Sequence, residues 1–193
     1  MNVRALFPTP VAYFPNFITS KERLEIFKSI KNISHHSHSA IEGDGVSTHD
    51  PYSISPKFLK GNIKQRVQDA IDEYSKEIGF SSSKVAGIWS NIQNSGSRLV
   101  AHSHPNAAVS GALYINVGDT CKITFHNPNP YPCITEVDTY TAYTYETQWF
   151  RVHNCELVLF PGWLRHGKYE DVNEMDERIV VSFNSCPKVT FSG

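Results

Sequence analysis

Residues 85–126 read VAGIWSNIQNSGSRLVAHSHPNAAVSGALYINVGDTCKITFH. Short apolar runs, Val85–Gln93, Arg98–Ser103, Ala108–Val117 and Cys121–His126, alternate here with the turn residues Asn94-Ser95-Gly96 and Gly118-Asp119. Runs of that length between such punctuation are strands. The rhythm continues through Thr139–Tyr145, Thr147–Val152, Cys155–Phe160, Gly167–Glu170 and Arg178–Asn184, with a further turn at Asn127-Pro128-Asn129-Pro130. Many short strands in series predict a closed or double-sheet β-barrel of the jelly-roll kind.

Upstream of residue 84 the pattern is helical. Thr19-Ser20-Lys21-Glu22 has capping-box spacing and opens a short helix with Leu24, Phe27 and Ile30 along one face. A second helix is predicted over Lys57–Gly79, where Ile63, Val67, Ala70, Ile71, Tyr74 and Ile78 form one stripe and Gly79 stands ready to end it. Pro8–Phe17 reads as an irregular edge strand. Between these lies a polar stretch, Ser34–Ser55, read as a long loop of the lid or binding kind. Helices first and strands after give an α+β domain. Residues 1–83 would be its helical part, packed on the outer face of a jelly-roll core at 84–193.

Composition narrows the function. The chain has 193 residues and a formal net charge of -1, which suits one domain and offers no basic footprint for nucleic acid. No apolar run approaches the roughly 20 residues of a membrane helix. Met1–Pro8 lacks the apolar stretch of a signal peptide, so a cytoplasmic protein is expected. Cys121, Cys133, Cys155 and Cys186 form no CxxC pair, which argues against a zinc ribbon and for reduced, mostly buried thiols. There is no glycine-rich phosphate loop and no nucleophile elbow.

The chemistry sits in the histidines. His102-Ser103-His104 precedes the apolar strand Ala108–Val117. On a strand, rings at i and i+2 share a face. His166, in Phe160-Pro161-Gly162-Trp163-Leu164-Arg165-His166, would bring a third imidazole from a distant strand. Three nitrogen donors on one face are a transition-metal site with open positions. His35, His36 and His38 are read as a solvated loop, and His126 and His153 as structural. His49 and Asp50 could reach over the mouth of the site. Trp149, Phe150 and Trp163 would either line a substrate pocket or pack in the core.

Two β-barrel families share these features. Gly96, five intervening residues and then His102-Ser103-His104 resemble the first half of the first cupin motif, without its glutamate. More of the chain resembles one branch of the 2-oxoglutarate/Fe(II)-dependent oxygenases of bacteria and phages, which carries HxHP, SGxxY, FPxWLxH and RIxxSFN. The matching residues are Trp89–Gln93, His102–Pro105, Ser110–Tyr114, Leu159–His166 and Arg178–Asn184, and the opening Leu6-Phe7-Pro8-Thr9-Pro10 resembles it too. The resemblance covers nearly the whole chain.

That resemblance implies a dioxygenase using Fe(II), with 2-oxoglutarate as co-substrate and O₂. His102, His104 and His166 would be the iron ligands, with His104 standing where most of the superfamily has a carboxylate. Arg178 would hold the distal carboxylate of 2-oxoglutarate, which a guanidinium fork suits; the alternative is a solvated arginine beside Asp176 and Glu177. Asn91 and Gln93 would be further co-substrate contacts, or polar ends of a strand. Tyr114 would be another, or a core aromatic. Val180 replaces the Ser or Thr often found two residues after the arginine, and Ser182 shares Arg178's strand face. The implied reaction is hydroxylation of a C–H bond on an unknown substrate. A protein or peptide side chain such as proline is the expectation, with no membrane or nucleic-acid partner, in the host cytoplasm if phage-encoded. A cupin-like metalloenzyme independent of 2-oxoglutarate, or a non-catalytic metal-binding barrel, is the alternative. The loop Ser34–Ser55 and the segment Asn127–Asp138 would shape the substrate pocket.

Overall fold

A computed structural model describes residues 7–49, 58–59, 61–129, 135–168 and 170–187. Strand β1 (Ala12–Phe14) leads into helix α1 (Ser20–Lys31), which starts at a complete capping box. The Thr19 hydroxyl accepts from the Glu22 N–H at 3.2 Å, and the Glu22 carboxylate accepts from the Thr19 N–H at 2.7 Å. That backbone bond lowers the Glu22 pKa below its usual value. Helix α2 (Ile63–Glu77) begins at the first residue of its stripe, later than the expected start at Lys57; residues 57 and 60 lie outside the described residues. Gly79, with φ +77°, ends it.

The remaining strands are β2 (Ile41–Glu42), β3 (Gly45–Ser47), β4 (Ser83–Gln93), β5 (Arg98–Leu99), β6 (Val109–Asn116), β7 (Lys122–His126), β8 (Thr147–Arg151), β9 (Leu157–Pro161) and β10 (Arg178–Pro187). Six of the strands form one antiparallel sheet in the order β1-β9-β6-β10-β4-β3. Its centre is β10, which pairs with β4 from Arg178↔Gln93 onward and with β6 through Ser182↔Ala112. The ladders β2-β5 and β7-β8 are separate. The segment around His166 joins them, bridging to His102 on one side and to Phe125 on the other.

Alternation along the large sheet sorts its side chains between two apolar clusters. Leu113, Ile115, Leu157, Leu159, Ile179, Val181 and Phe183 pack with Ile26 and Ile30 of α1 and with Val67, Ile71 and Tyr74 of α2. Ala112, Tyr114, Val158, Phe160 and Val180 point the other way, onto Ile123, Phe125, Val152 and Leu164. The helices thus cover one face of the sheet, and the other face is left for the minor ladders and the site.

Four strand and loop expectations are corrected. Thr139–Tyr145 is a turn, because the N–H groups of Thr144 and Tyr145 both donate to the Thr141 carbonyl. In Gly167–Glu170 the described residues 167, 168 and 170 form no strand, residue 169 lying outside the described residues: Gly167 takes φ +86° while donating to the Thr124 carbonyl, and the next bridge is Arg98↔Val172. Arg98–Ser103 shortens to β5 plus the bridge at His102. The Ser34–Ser55 stretch is not all loop. It contributes β2 and β3, and β3 is an edge of the large sheet; residues 50–55 lie outside the described residues, as do 130–134 of the Asn127–Asp138 segment. Of the cysteines, Cys155 is buried, Cys121 half-buried and Cys186 exposed, all three as free thiols; Cys133 lies outside the described residues. No helix among the described residues is long and apolar enough to cross a membrane.

Candidate metal and co-substrate site

The three histidines meet because two distant segments dock by their backbones. His102 donates its N–H to the His166 carbonyl at 3.0 Å, and His166 returns the bond at 2.9 Å. Two residues on, the His104 N–H donates to the Gly162 carbonyl at 2.7 Å. Glycine is required at 162: a Cβ there would stand 2.2 Å from the Ala107 carbonyl oxygen. The Pro-Gly turn of the sequence is therefore the seat on which the His-x-His segment rests.

Ring centroids lie 4.4 Å apart for His102 and His166, 5.0 Å for His102 and His104, and 5.2 Å for His104 and His166. One nitrogen from each falls within 4.8 Å of the others. Two of the tautomers are fixed by backbone. Nδ1–H of His102 donates to the Val100 carbonyl at 2.7 Å, and Nδ1–H of His166 to the Leu164 carbonyl at 3.0 Å. A carbonyl can only accept, so each Nε2 keeps its lone pair, the arrangement that metal-binding histidines use. Burial holds the rings neutral: His166 is pushed down to about 3 and His104 to about 4, both with help from neighbouring imidazoles, and His102 falls in the same direction through burial and the nearby Arg165 charge. Three neutral, mutually facing imidazoles fit a divalent first-row metal.

Arg178 opens β10 and shares a cavity of about 560 Å³ with the histidines. Asn91, Gln93, Tyr114 and Ser182 line the same cavity, as alternation along β4, β6 and β10 requires. Asn91 donates from its amide to the Ser182 hydroxyl at 3.3 Å, so these two bond each other. Gln93, 2 % exposed, accepts from Arg178 Nη1 through its side-chain oxygen. Tyr114 is buried beside Arg178 and Cys121, and burial pushes its phenol well above the ordinary range. The acids next to Arg178 are occupied elsewhere. Asp176 accepts from the Ser95 N–H, and Glu177 pairs with Lys31. Among the described residues no carboxylate pairs with the Arg178 guanidinium.

The cavity wall also holds residues that the sequence reading had placed elsewhere. His38, expected in a solvated loop, lines the cavity together with His49. Their rings stand 4.8 Å apart, His49 is 4.8 Å from Trp89, and Trp89 is 5.9 Å from His104, so an edge-to-face column of rings leads to the three clustered histidines. Cys121, singled out only as a thiol, accepts from Arg178 Nε at 3.4 Å. Trp149 lines the cavity under the Lys122 ammonium, whereas Phe150 packs into the apolar cluster and Trp163 is half-exposed outside the cavity. Of the two histidines expected to be structural, His126 bonds the Gly167 carbonyl and His153 the Glu156 carboxylate.

No curated relative matches the chain. Solved structures do. An oxidoreductase of the 2OG-Fe(II) oxygenase family from Burkholderia pseudomallei aligns with a TM-score of 0.64 at 10 % identity, over 91 % of this chain and 85 % of that one. HygX from Streptomyces hygroscopicus, solved with nickel, 2-oxoglutarate and hygromycin B, aligns with 0.60 at 11 % identity, over 94 % and 84 %. A prolyl hydroxylase in complex with a hypoxia inducible factor oxygen degradation domain peptide fragment, from Trichoplax adhaerens, aligns with 0.57 at 12 % identity, over 91 % and 83 %. At such identity these likenesses carry the fold. The family itself follows from the sequence of the part that builds the cavity. Residues 87–184, just over half of the chain and spanning all three histidines and Arg178, match the model described as "Putative 2OG-Fe(II) oxygenase", so the chain belongs to that family and is a dioxygenase that depends on Fe(II), 2-oxoglutarate and O₂.

Proposed function

We propose that this enzyme hydroxylates a C–H bond of its substrate, with His102, His104 and His166 holding Fe(II) and Arg178 holding the far carboxylate of 2-oxoglutarate. The observation that carries the assignment is the pairing, in one cavity, of three neutral imidazoles with a guanidinium that, among the described residues, forms no ion pair with a carboxylate. When bound, the iron, 2-oxoglutarate and O₂ supply the oxidising power that removes the hydrogen and the oxygen that replaces it, with succinate and CO₂ as by-products. The chain's own part is placement. The backbone bonds of His102 and His166 fix which nitrogen faces inward. The guanidinium offers a bidentate fork to a carboxylate. Tyr114, Asn91, Ser182 and Gln93 line the path between the two ends. Phe160 and Val180 give the cavity an apolar stretch of wall.

We take the whole chain as one domain, a double-stranded β-helix with residues 1–83 supplying helices and edge strands to a core at 84–193. The covered face and the bridging segment at His166 support this closure. A protein or peptide side chain, proline among them, is the proposed substrate class. Its support is the likeness in fold to a prolyl hydroxylase solved with a peptide. The free thiols of Cys121 and Cys155 accord with the cytoplasm.

Anaerobic titration of the Fe(II)-loaded protein with 2-oxoglutarate tests the assignment. A weak visible charge-transfer band is expected, lost in Arg178→Ala, and succinate is expected to form once air is admitted. A protein that develops no band and forms no succinate refutes the reading.

A further inference from the structure

Among the described residues, the Arg178 guanidinium hydrogen-bonds to neutral groups only. It has five N–H donors. One on Nη1 goes to the side-chain oxygen of Gln93, and the Nε–H goes to the Cys121 sulfur at 3.4 Å. Among the described residues no acceptor takes the other three, two of them on Nη2. Gln93 is itself fixed. It is 2 % exposed, lies opposite Arg178 in the β4–β10 register, and its backbone carbonyl accepts from the Asn173 amide at 3.1 Å. The two acids adjoining Arg178 in sequence are drawn away by Ser95 and Lys31. A partly buried cation is ordinarily matched by an acid. Here an amide and a thiol take the acid's place.

We propose that Gln93 and Cys121 are positioning residues for Arg178, neutral holders that aim the guanidinium into the cavity and leave its charge for an incoming carboxylate. This rests on the reading of Arg178 as the anchor of 2-oxoglutarate. It also changes the role expected of Gln93, which acts through the arginine. A carboxamide is the side chain that can accept from the guanidinium at this reach without cancelling its charge. A carboxylate at the same place would pair with Arg178 and compete with the co-substrate.

The decisive variant is Gln93→Glu. Its affinity for 2-oxoglutarate, measured by anaerobic calorimetry on the Fe(II)-loaded protein, is expected to fall on the order of 10- to 100-fold, the range of a charge-assisted hydrogen bond. KM for 2-oxoglutarate should rise in step while kcat at saturation stays within about threefold, whereas a purely structural lesion would lower kcat and thermal stability together. Cys121→Ala should weaken binding by only a few-fold, since a thiol is a weak acceptor. Arg178→Ala is measured alongside. If Arg178→Ala loses 2-oxoglutarate binding but Gln93→Glu binds like wild type, the positioning role is overturned and the anchor stands. If Arg178→Ala itself binds like wild type, the anchor reading fails and the inference falls with it. Should Gln93→Glu not fold, Gln93→Asn replaces it, keeping the carboxamide and shortening its reach. A several-fold loss of affinity then supports the role, and unchanged affinity overturns it.

Discussion

The two faces of the large sheet are made by the same strands and do opposite work. Toward the helices, Leu113, Ile115, Leu159, Val181 and Phe183 are fully or almost fully buried and purely apolar. Toward the cavity, their immediate neighbours Tyr114, Ser182 and, further along, Asn91, Gln93 and Arg178 carry hydrogen-bonding groups. One face is packing and the other is recognition, separated by a single residue step along each strand. The lesson is that stability and function should be separable here by mutating adjacent positions.

That separation can be broken in order of size. His166→Ala should be the most damaging to activity, with turnover reduced about a thousandfold or more and bound iron, measured by metal analysis, falling well below one per chain. Retention of stoichiometric iron would sink the three-histidine assignment. On the helix face, Leu113→Ala should cost about 2–5 kcal/mol of unfolding free energy in a denaturant titration, as a cavity in a packed core does, with KM for 2-oxoglutarate unmoved. Arg178→Ala should do the reverse, losing about 1.5–3 kcal/mol of 2-oxoglutarate binding while the melting temperature changes little. The mildest test is Ser182→Ala, which removes the acceptor for Asn91. About 0.5–1.5 kcal/mol should be lost in co-substrate binding. An equal loss of folding stability in Arg178→Ala and Leu113→Ala would show that the two faces are not independent.

What the sequence disclosed follows the same division. Apolar runs bounded by turn residues made β4, β6 and β10 legible, and with them the strands on which Asn91, Tyr114, Arg178 and Ser182 sit. The capping box announced α1 by a local mechanism. The three histidines could be joined because each stood beside a strong strand signal. Strands β2 and β3 could not be seen: two or three residues carry no period, and they exist because β5 and β4 offer them partners. Missing them hid His38, which those strands bring to the cavity wall. Thr139–Tyr145 misled for the opposite reason. Its Thr and Tyr content suits a strand, but the Thr141 and Thr144 hydroxyls bond the local backbone and close a turn instead.

The docking of residue 102 on residue 166 also bears on how the molecule breathes. An ion gripped by both closes a ring of about 64 residues of chain, the kind of cross-link whose entropic value grows with its span. The paired amides of His102 and His166 lie on the seam that this ring locks. The minor side of the molecule is built from ladders of only two strands each, the sort of structure that opens locally at little cost. The catalytic ion would therefore double as a rivet. The seam's amide hydrogens should exchange with solvent far more slowly once it is in place, and the protein's lifetime against proteolysis would follow the cell's supply of iron.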